Sequence, residues 1–218
     1  DHVGGNWEFD QVLAYPDPTV AARSKQGYGE ALLNPMLAGD SLAKPLPAGF
    51  DANHFIIKPW QHKPLQINAS ASQESASSLF TGQQFDLGGR SLEVLHTPGH
   101  TADSIMLLDK QQRILFTGDT VYPAALYAHY HCDQFGNSSL NTYAKTMHNL
   151  VKLMPTLDHL CCSHNVPLAC PELLKEIAAA FEQIKGKKVS GRPDSDGLLR
   201  FEFPGFAIIV DEASLLSW

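Results

Sequence analysis

The sequence predicts an α/β fold in which helices cover sheets, at least one of them antiparallel. Three features carry that expectation. Two hairpin patterns succeed one another between residues 83 and 117, two amphipathic helical patterns at 138–154 and 171–185 flank a short strand, and a last hairpin occupies 198–210. The chain has 218 residues, 44% of them hydrophobic, enough for one domain over 1–218 with a sizeable core.

Taken in order, residues 1–6 read as a loop containing Gly4 and Gly5, followed by a short strand at 11–14. Pro16, Asp17 and Pro18 make a turn, and Asp17 is placed to cap a helix from 18 to about 26 with proline at its first position. Residues 27–50 are rich in Gly, Pro, Leu and Ala without a clean period. With the proline-broken segment 54–67 and the Ser/Ala-rich loop 68–78, they read as an irregular insert at about 27–80, either a lid or a surface connection.

Residues 83–87 and 90–96 flank Gly88-Gly89, a pair suited to a two-residue turn with positive φ. A second hairpin joins 104–109 to 113–117 across Lys110-Gln111-Gln112. Over 138–154, Leu140, Tyr143, Ala144, Met147, Leu150, Val151 and Met154 recur at helical spacing, with Asn137 or Ser138 as the cap and Pro155 beyond the end. A strand at 159–162 runs into Ser163-His164-Asn165. The helix at 171–185 has proline at its start, Leu174, Ile177, Ala178, Phe181 and Ile184 on one face, and Gly186 past its end.

Lys and Arg number 16 and Asp and Glu 23, a net charge of −7, with no basic block. Phosphate contacts need clustered Lys and Arg, so a nucleic-acid partner is not expected. No run of 18 apolar residues suggests a membrane span. Cys132, Cys161, Cys162 and Cys170 do not form a disulfide framework, which favours a reducing, cytoplasmic compartment.

The stretch 95–120 organises the rest. Apolar runs end at Thr97-Pro98-Gly99-His100-Thr101 and at Thr117-Gly118-Asp119-Thr120, so a histidine and a carboxylate sit where strands end, aimed at one point. Asp1-His2 and His164 are two further polar clusters, at the chain start and at another strand end. Three imidazoles and two carboxylates converging would suit a borderline metal such as zinc. The glycines and prolines beside them let the backbone turn each side chain inward.

With Asp1-His2-Val3-Gly4-Gly5, Thr97 to Thr101, Leu115 to Thr120 and Ser163-His164-Asn165 in this order, the chain resembles the metallo-β-lactamase-fold hydrolases over essentially its whole length. It looks closest to their glyoxalase II and acyl-CoA thioesterase-like branch. The family signature is His-x-His-x-Asp-His followed by Gly-Gly, and this chain begins at the signature's last two residues. The resemblance implies an αββα sandwich whose N-terminal strands, with the paired histidines, are missing from this chain. It implies two zinc ions in an intact protein. Asp1, His2, Asp119 and His164 would then hold the second ion, and His100 would hold the first. Asp119 would bridge them, and Asp1 would also be catalytic by orienting the nucleophile. One ion or none is expected in this chain, with weak or no activity.

The implied reaction is hydrolysis of a small-molecule carbonyl substrate by zinc-activated hydroxide: a thioester first, then a lactone, then a β-lactam, with an inactive fragment as the alternative. Tyr122, Tyr127 and Tyr130 follow Asp119 closely and are expected to line the substrate pocket, or to pack. Thr101, Ser104 and Thr120 are candidates for hydrogen bonds to the ligands. His129-Tyr130-His131-Cys132-Asp133 mimics the missing signature, but Gln134 replaces its last histidine, so His129 and His131 read as pocket wall or surface. His96 reads as a strand-end residue. A homodimer is compatible with this reading, and no membrane partner is expected.

Overall fold

The structure, a computed structural model, describes residues 5–26, 58–67, 80–128, 131–132, 136–194, 197–216 and 218. The expected insert at about 27–80 thus lies outside the described residues except at 58–67 and 80. The chain divides into two compact units, Asp1–Pro64 and Leu65–Trp218.

In the first unit, strand β1 (Val12–Ala14) precedes helix α1 (Pro18–Gln26) and pairs in parallel with β2 (His62–Pro64). Asp17 caps α1 as its position suggested. Its Oδ1 accepts from the Thr19 N–H at 2.8 Å and from the Thr19 hydroxyl at 2.5 Å. The Trp60 N–H donates to the Ser24 carbonyl at 2.9 Å, and Val20, Ser24 and Trp60 are buried.

The second unit carries β3 (Phe80–Asp86), β4 (Ser91–His96), β5 (Ile105–Asp109), β6 (Ile114–Phe116), β7 (Ala125–Ala128), β8 (His131–Cys132) and β9 (Gly136–Asn137). Then come α2 (Leu140–Val151), β10 (His159–Cys161), β11 (Leu168–Ala169), α3 (Glu172–Lys185), β12 (Arg192–Pro193), β13 (Leu199–Phe203), β14 (Phe206–Val210) and α4 (Glu212–Leu216). One sheet has six strands in the order β11-β10-β6-β5-β4-β3, and another has four in the order β12-β13-β14-β7. The first is antiparallel from β3 to β6, parallel between β6 and β10, and antiparallel again at β11. Two helices and two mixed sheets sharing one core make the expected α/β architecture.

The β3–β4 hairpin turns on Gly88 and Gly89, at φ 81° and 96°, with the Leu87 N–H donating to the Arg90 carbonyl at 2.7 Å. Both central residues at positive φ match the right-handed strand twist, which is why two glycines stand there. On the six-stranded sheet, Leu95, Met106, Leu115 and Leu160 point into the core. Tyr143, Met147 and Leu150 of α2 and Leu174, Ile177 and Phe181 of α3 join them, each fully buried. From the other sheet come Leu126, Phe201, Phe206, Ile208 and Val210. All five residues of β14 are buried, which accounts for its unbroken apolar run.

The cap of α2 differs from expectation by one residue. Ser139 Oγ accepts from the Thr142 N–H at 3.3 Å, whereas Ser138 Oγ donates to the His100 carbonyl at 2.6 Å. Ser138 therefore serves the loop at the strand end. Strand β7, absent from the sequence expectation, pairs in parallel with β14, with Ala125 opposite Ala207 and Ala128 opposite Val210. Among the described residues no helix is long and apolar enough to cross a membrane.

Candidate metal centre

Strands β4, β6 and β10 are mutually parallel, because β4 and β6 each run antiparallel to β5, and β10 runs parallel to β6. Their C-terminal ends therefore open at one end of the sheet. The loops that leave there carry His100, Asp119 and His164 in turn. Strand direction thus brings three residues distant in sequence to one end of the sheet.

His100 is nearly buried, with 10% of its side chain exposed. Its Nδ1 lies 2.8 Å from the carbonyl oxygen of Tyr127. A carbonyl can only accept, so Nδ1 carries a proton, and in the neutral imidazole Nε2 keeps its lone pair. That Nε2 lies 3.8 Å from Asp119 Oδ2. His164 approaches from the other side, its Nε2 lying 3.0 Å from Asp119 Oδ1. The carboxylate thus offers one oxygen to each imidazole. Among the described residues no three His, Cys, Asp or Glu side chains converge on a single point as a set able to hold one ion.

Each loop is fixed by hydrogen bonds to its own backbone. The His96 Nε2–H donates to the Ala102 carbonyl at 2.8 Å, and the Thr97 N–H to the Ser104 carbonyl at 2.9 Å. Thr101 and Ser104 join their hydroxyls at 2.8 Å, and the Thr101 N–H donates to Ser104 Oγ at 3.1 Å. These bonds shape the loop around His100. Thr117, at the end of β6, donates its N–H to the Cys161 carbonyl at 3.0 Å and its hydroxyl to the Val121 carbonyl at 2.6 Å. That ties the Asp119 loop to the strand that leads to His164. Gly118 at φ 52° and Asn165 at φ 66° provide the left-handed turns beside Asp119 and His164.

Helix α2 holds the loops from below. Thr146 Oγ1 donates to the Pro98 carbonyl at 2.6 Å, the Ser139 N–H to the Gly99 carbonyl at 3.1 Å, and the Tyr143 hydroxyl to the Thr120 carbonyl at 2.5 Å. Gly99, at φ 148°, lies so close to the helix that a Cβ there would meet Tyr143 Cα and Cβ at 2.5 Å. Thr146 and Tyr143 stand on the apolar stripe, so helical periodicity registers them as core residues. A threonine on such a stripe is the signal that could have marked the contact.

Of the tyrosines expected at a pocket, Tyr122 is buried, its hydroxyl donates to the Ala125 carbonyl at 2.5 Å, and its ring stands edge-on to His164 with centroids 5.2 Å apart. Tyr127 is 37% exposed, and its backbone carbonyl is the acceptor for His100. Asp1, His2, His129 and Tyr130 lie outside the described residues. His131 is on the surface: its Nε2 lies 2.6 Å from Asp211 Oδ2 and 3.1 Å from Ser214 Oγ. Burial pushes the Asp211 carboxyl up, but Ser214 and His131 outweigh it and hold the group below its ordinary range. Cys161, Cys162 and Cys170 are free thiols, and burial raises the first two above the usual thiol value. His148 and His159 are exposed.

A sequence model of the metallo-beta-lactamase superfamily matches residues 1–153. Acyl-coenzyme A thioesterase MBLAC2 of Gallus gallus and of Homo sapiens are each 29% identical over 154 residues, 71% of this chain and 48% of theirs. The chain therefore spans about half the length of these curated relatives. An atrochrysone carboxyl ACP thioesterase of Aspergillus chevalieri is 27% identical over 66 residues, 30% of this chain and 21% of that protein. Among solved structures, a metallo-beta-lactamase family protein from Thermus thermophilus superposes with a TM-score of 0.55 at 15% identity. The match covers 87% of this chain and 60% of that one, a likeness of fold.

Proposed function

The chain belongs to the metallo-beta-lactamase superfamily, and on that premise we propose that it is a metal-dependent hydrolase of thioester substrates. The observation that carries the proposal is the convergence of His100 and His164 on opposite oxygens of Asp119 at one end of the six-stranded sheet. The thioester is favoured over a lactone or a β-lactam because proteins named as thioesterases stand among the relatives.

The donors suit zinc. Two imidazole nitrogens and a carboxylate are the mixed N/O set that a borderline divalent ion takes. His100, His164 and Asp119 would hold the metal, the carboxylate turning one oxygen toward each imidazole. In this reading His100 would serve one ion and His164 the other, with Asp119 contributing to both. Asp1 and His2 complete the second set on the strength of their motif, with Asp1 orienting the attacking water. When bound, zinc supplies Lewis acidity toward a carbonyl oxygen and acidifies water toward neutral pH.

The chain's own residues do the positioning. The Tyr127 carbonyl holds the His100 tautomer that leaves Nε2 basic, an outer hydrogen bond that raises ligand basicity and fixes the ring. Tyr122 limits where the His164 ring can turn. Tyr127, part-exposed beside its own carbonyl contact, is the described tyrosine open to a substrate, and Tyr130 is proposed beside it on sequence position alone. The free thiols suit a cytoplasmic setting.

The test is direct. Chain loaded with Zn2+ is assayed on an acyl-CoA, a lactone and a β-lactam, with and without a chelator. Weak chelator-sensitive cleavage led by the thioester is expected from this chain, and its loss in Asp119→Asn. Turnover that persists in chelator and in Asp119→Asn would overturn metal dependence. A lead for lactone or β-lactam would overturn the substrate class.

A further inference from the structure

We propose that Tyr143 is a positioning residue for the metal centre, one rigid side chain that sets the distance between the loop of His100 and the loop of Asp119. The inference rests on the reading that those loops hold metal.

Strands β4 and β6 are separated by β5, so their ends start roughly 10 Å apart, two strand spacings. Yet His100 Nε2 and Asp119 Oδ2 are 3.8 Å apart. The ladder bonds of the sheet stop at Ile105 opposite His96 and at Leu107 opposite Phe116, so they do not set that approach. Between the loops the Thr120 hydroxyl donates to the Thr97 carbonyl at 3.5 Å, a long and correspondingly weak bond.

Tyr143 touches both loops, each one residue from a donor. Its Cα, Cβ and Cγ fill the space where Gly99 would carry a Cβ, at 2.5, 2.5 and 2.6 Å. Its hydroxyl donates to the carbonyl of Thr120 at 2.5 Å. Gly99 precedes His100 and Thr120 follows Asp119. The ring between these ends is fully buried and tilted at 45° against Phe181, with centroids 4.8 Å apart, so the spacer cannot swing. Burial, then the nearby Tyr122 and Asp119, drive the phenol's pKa well above its ordinary value, which keeps the hydroxyl a donor. Ser138 and Thr146, by contrast, donate to carbonyls of the His100 loop.

A tyrosine that only fills the core would affect metal binding no more than any other core residue of equal weight. Tyr143→Phe keeps the ring and deletes the link to Thr120. Wild type, Tyr143→Phe and Leu174→Ala, the last altering a fully buried residue of α3, are titrated with Co2+ alone and followed by visible absorption. Each is also melted without metal to establish that it is folded. Tyr143→Phe is expected to raise the Co2+ dissociation constant about 10–100-fold and to shift the absorption band, as loss of an outer-shell partner does. Leu174→Ala is expected to melt lower than Tyr143→Phe yet bind Co2+ as wild type does. Wild-type affinity and spectrum in Tyr143→Phe would overturn the positioning role while leaving the metal reading intact. So would an affinity that falls in step with melting temperature across both variants. A wild-type chain that takes up no Co2+ would overturn the metal reading, and this role with it.

Discussion

Gly99→Ala is expected to be among the most damaging single-methyl additions near the site, for two separable reasons. The residue sits at φ 148°, a conformation L side chains rarely adopt, and the new Cβ would meet Tyr143 Cα, Cβ and Cγ at 2.5–2.6 Å. The backbone conformation costs about 1–3 kcal/mol. Overpacking against a helix backbone that cannot step aside costs a further 1–3 kcal/mol or so. Gly88→Ala separates the two. It also has positive φ, at 81°, but a Cβ there meets nothing within 4 Å. Thermal unfolding followed by far-UV circular dichroism reads both. For a chain of this length, 1 kcal/mol moves the midpoint about 2–4 °C. Gly88→Ala should thus fall by about 2–8 °C, from roughly 1–2 kcal/mol of left-handed strain. Gly99→Ala should fall by at least about 4 °C and lie below Gly88→Ala. Equal midpoints would show that the close approach of Gly99 to α2 contributes nothing, and the argument from crowding would fail.

Two further expectations concern the scaffold. Ser139→Ala removes the acceptor for the Thr142 N–H and should cost about 1 kcal/mol, lowering the melting midpoint by about 2–4 °C. An unchanged midpoint would mean that water replaces the cap. The Asp109 carboxylate accepts from the Gln112 N–H at 2.8 Å and is paired with Arg90, and these, the backbone bond first, hold it below its ordinary range. Its contribution is therefore complete above the ordinary carboxylate range and is lost as pH falls through the lowered folded value. Urea midpoints of wild type and Asp109→Asn should differ by a constant amount from pH 7 to about pH 5 and converge in stronger acid. A gap that widens on acidification would contradict the sign.

The parts of the fold visible in the sequence are those fixed by local chemistry. Gly88-Gly89 specifies its turn because few other residues take positive φ twice running, and the helices at 140–151 and 172–185 show because their buried faces repeat every turn. Strand β7 did not show. Ala125–Ala128 has no β-branched residue, and what makes it a strand is β14, far along the chain. His100, Asp119 and His164 were legible as candidate donors because each follows a strand in a turn of Gly, Pro or Asn. Their supports were not. The hydroxyls of Ser138, Tyr143 and Thr146 act on carbonyls of other loops, and nothing in a periodic pattern says where a hydroxyl will land. His131, read from the sequence as pocket wall or surface, stands at the surface beside Asp211 and Ser214.

The missed strand bears on the site more than its four residues suggest. The carbonyl that fixes the His100 tautomer belongs to Tyr127, in the middle of β7. Tyr127 stands opposite Ile209 in the parallel pairing with β14, and β14 is held in turn by β13 through the turn at Gly205, φ 83°. A side chain near residue 100 thus has its protonation pattern set by backbone that the terminal hairpin keeps in place. The motif names the candidate donor, but the hydrogen bond that orients its ring depends on pairing between segments that share no local signal. The fully buried run Phe206–Val210 gains a second role on this argument. Besides filling the core, it holds β7 where the Tyr127 carbonyl can accept from Nδ1, leaving Nε2 facing Asp119.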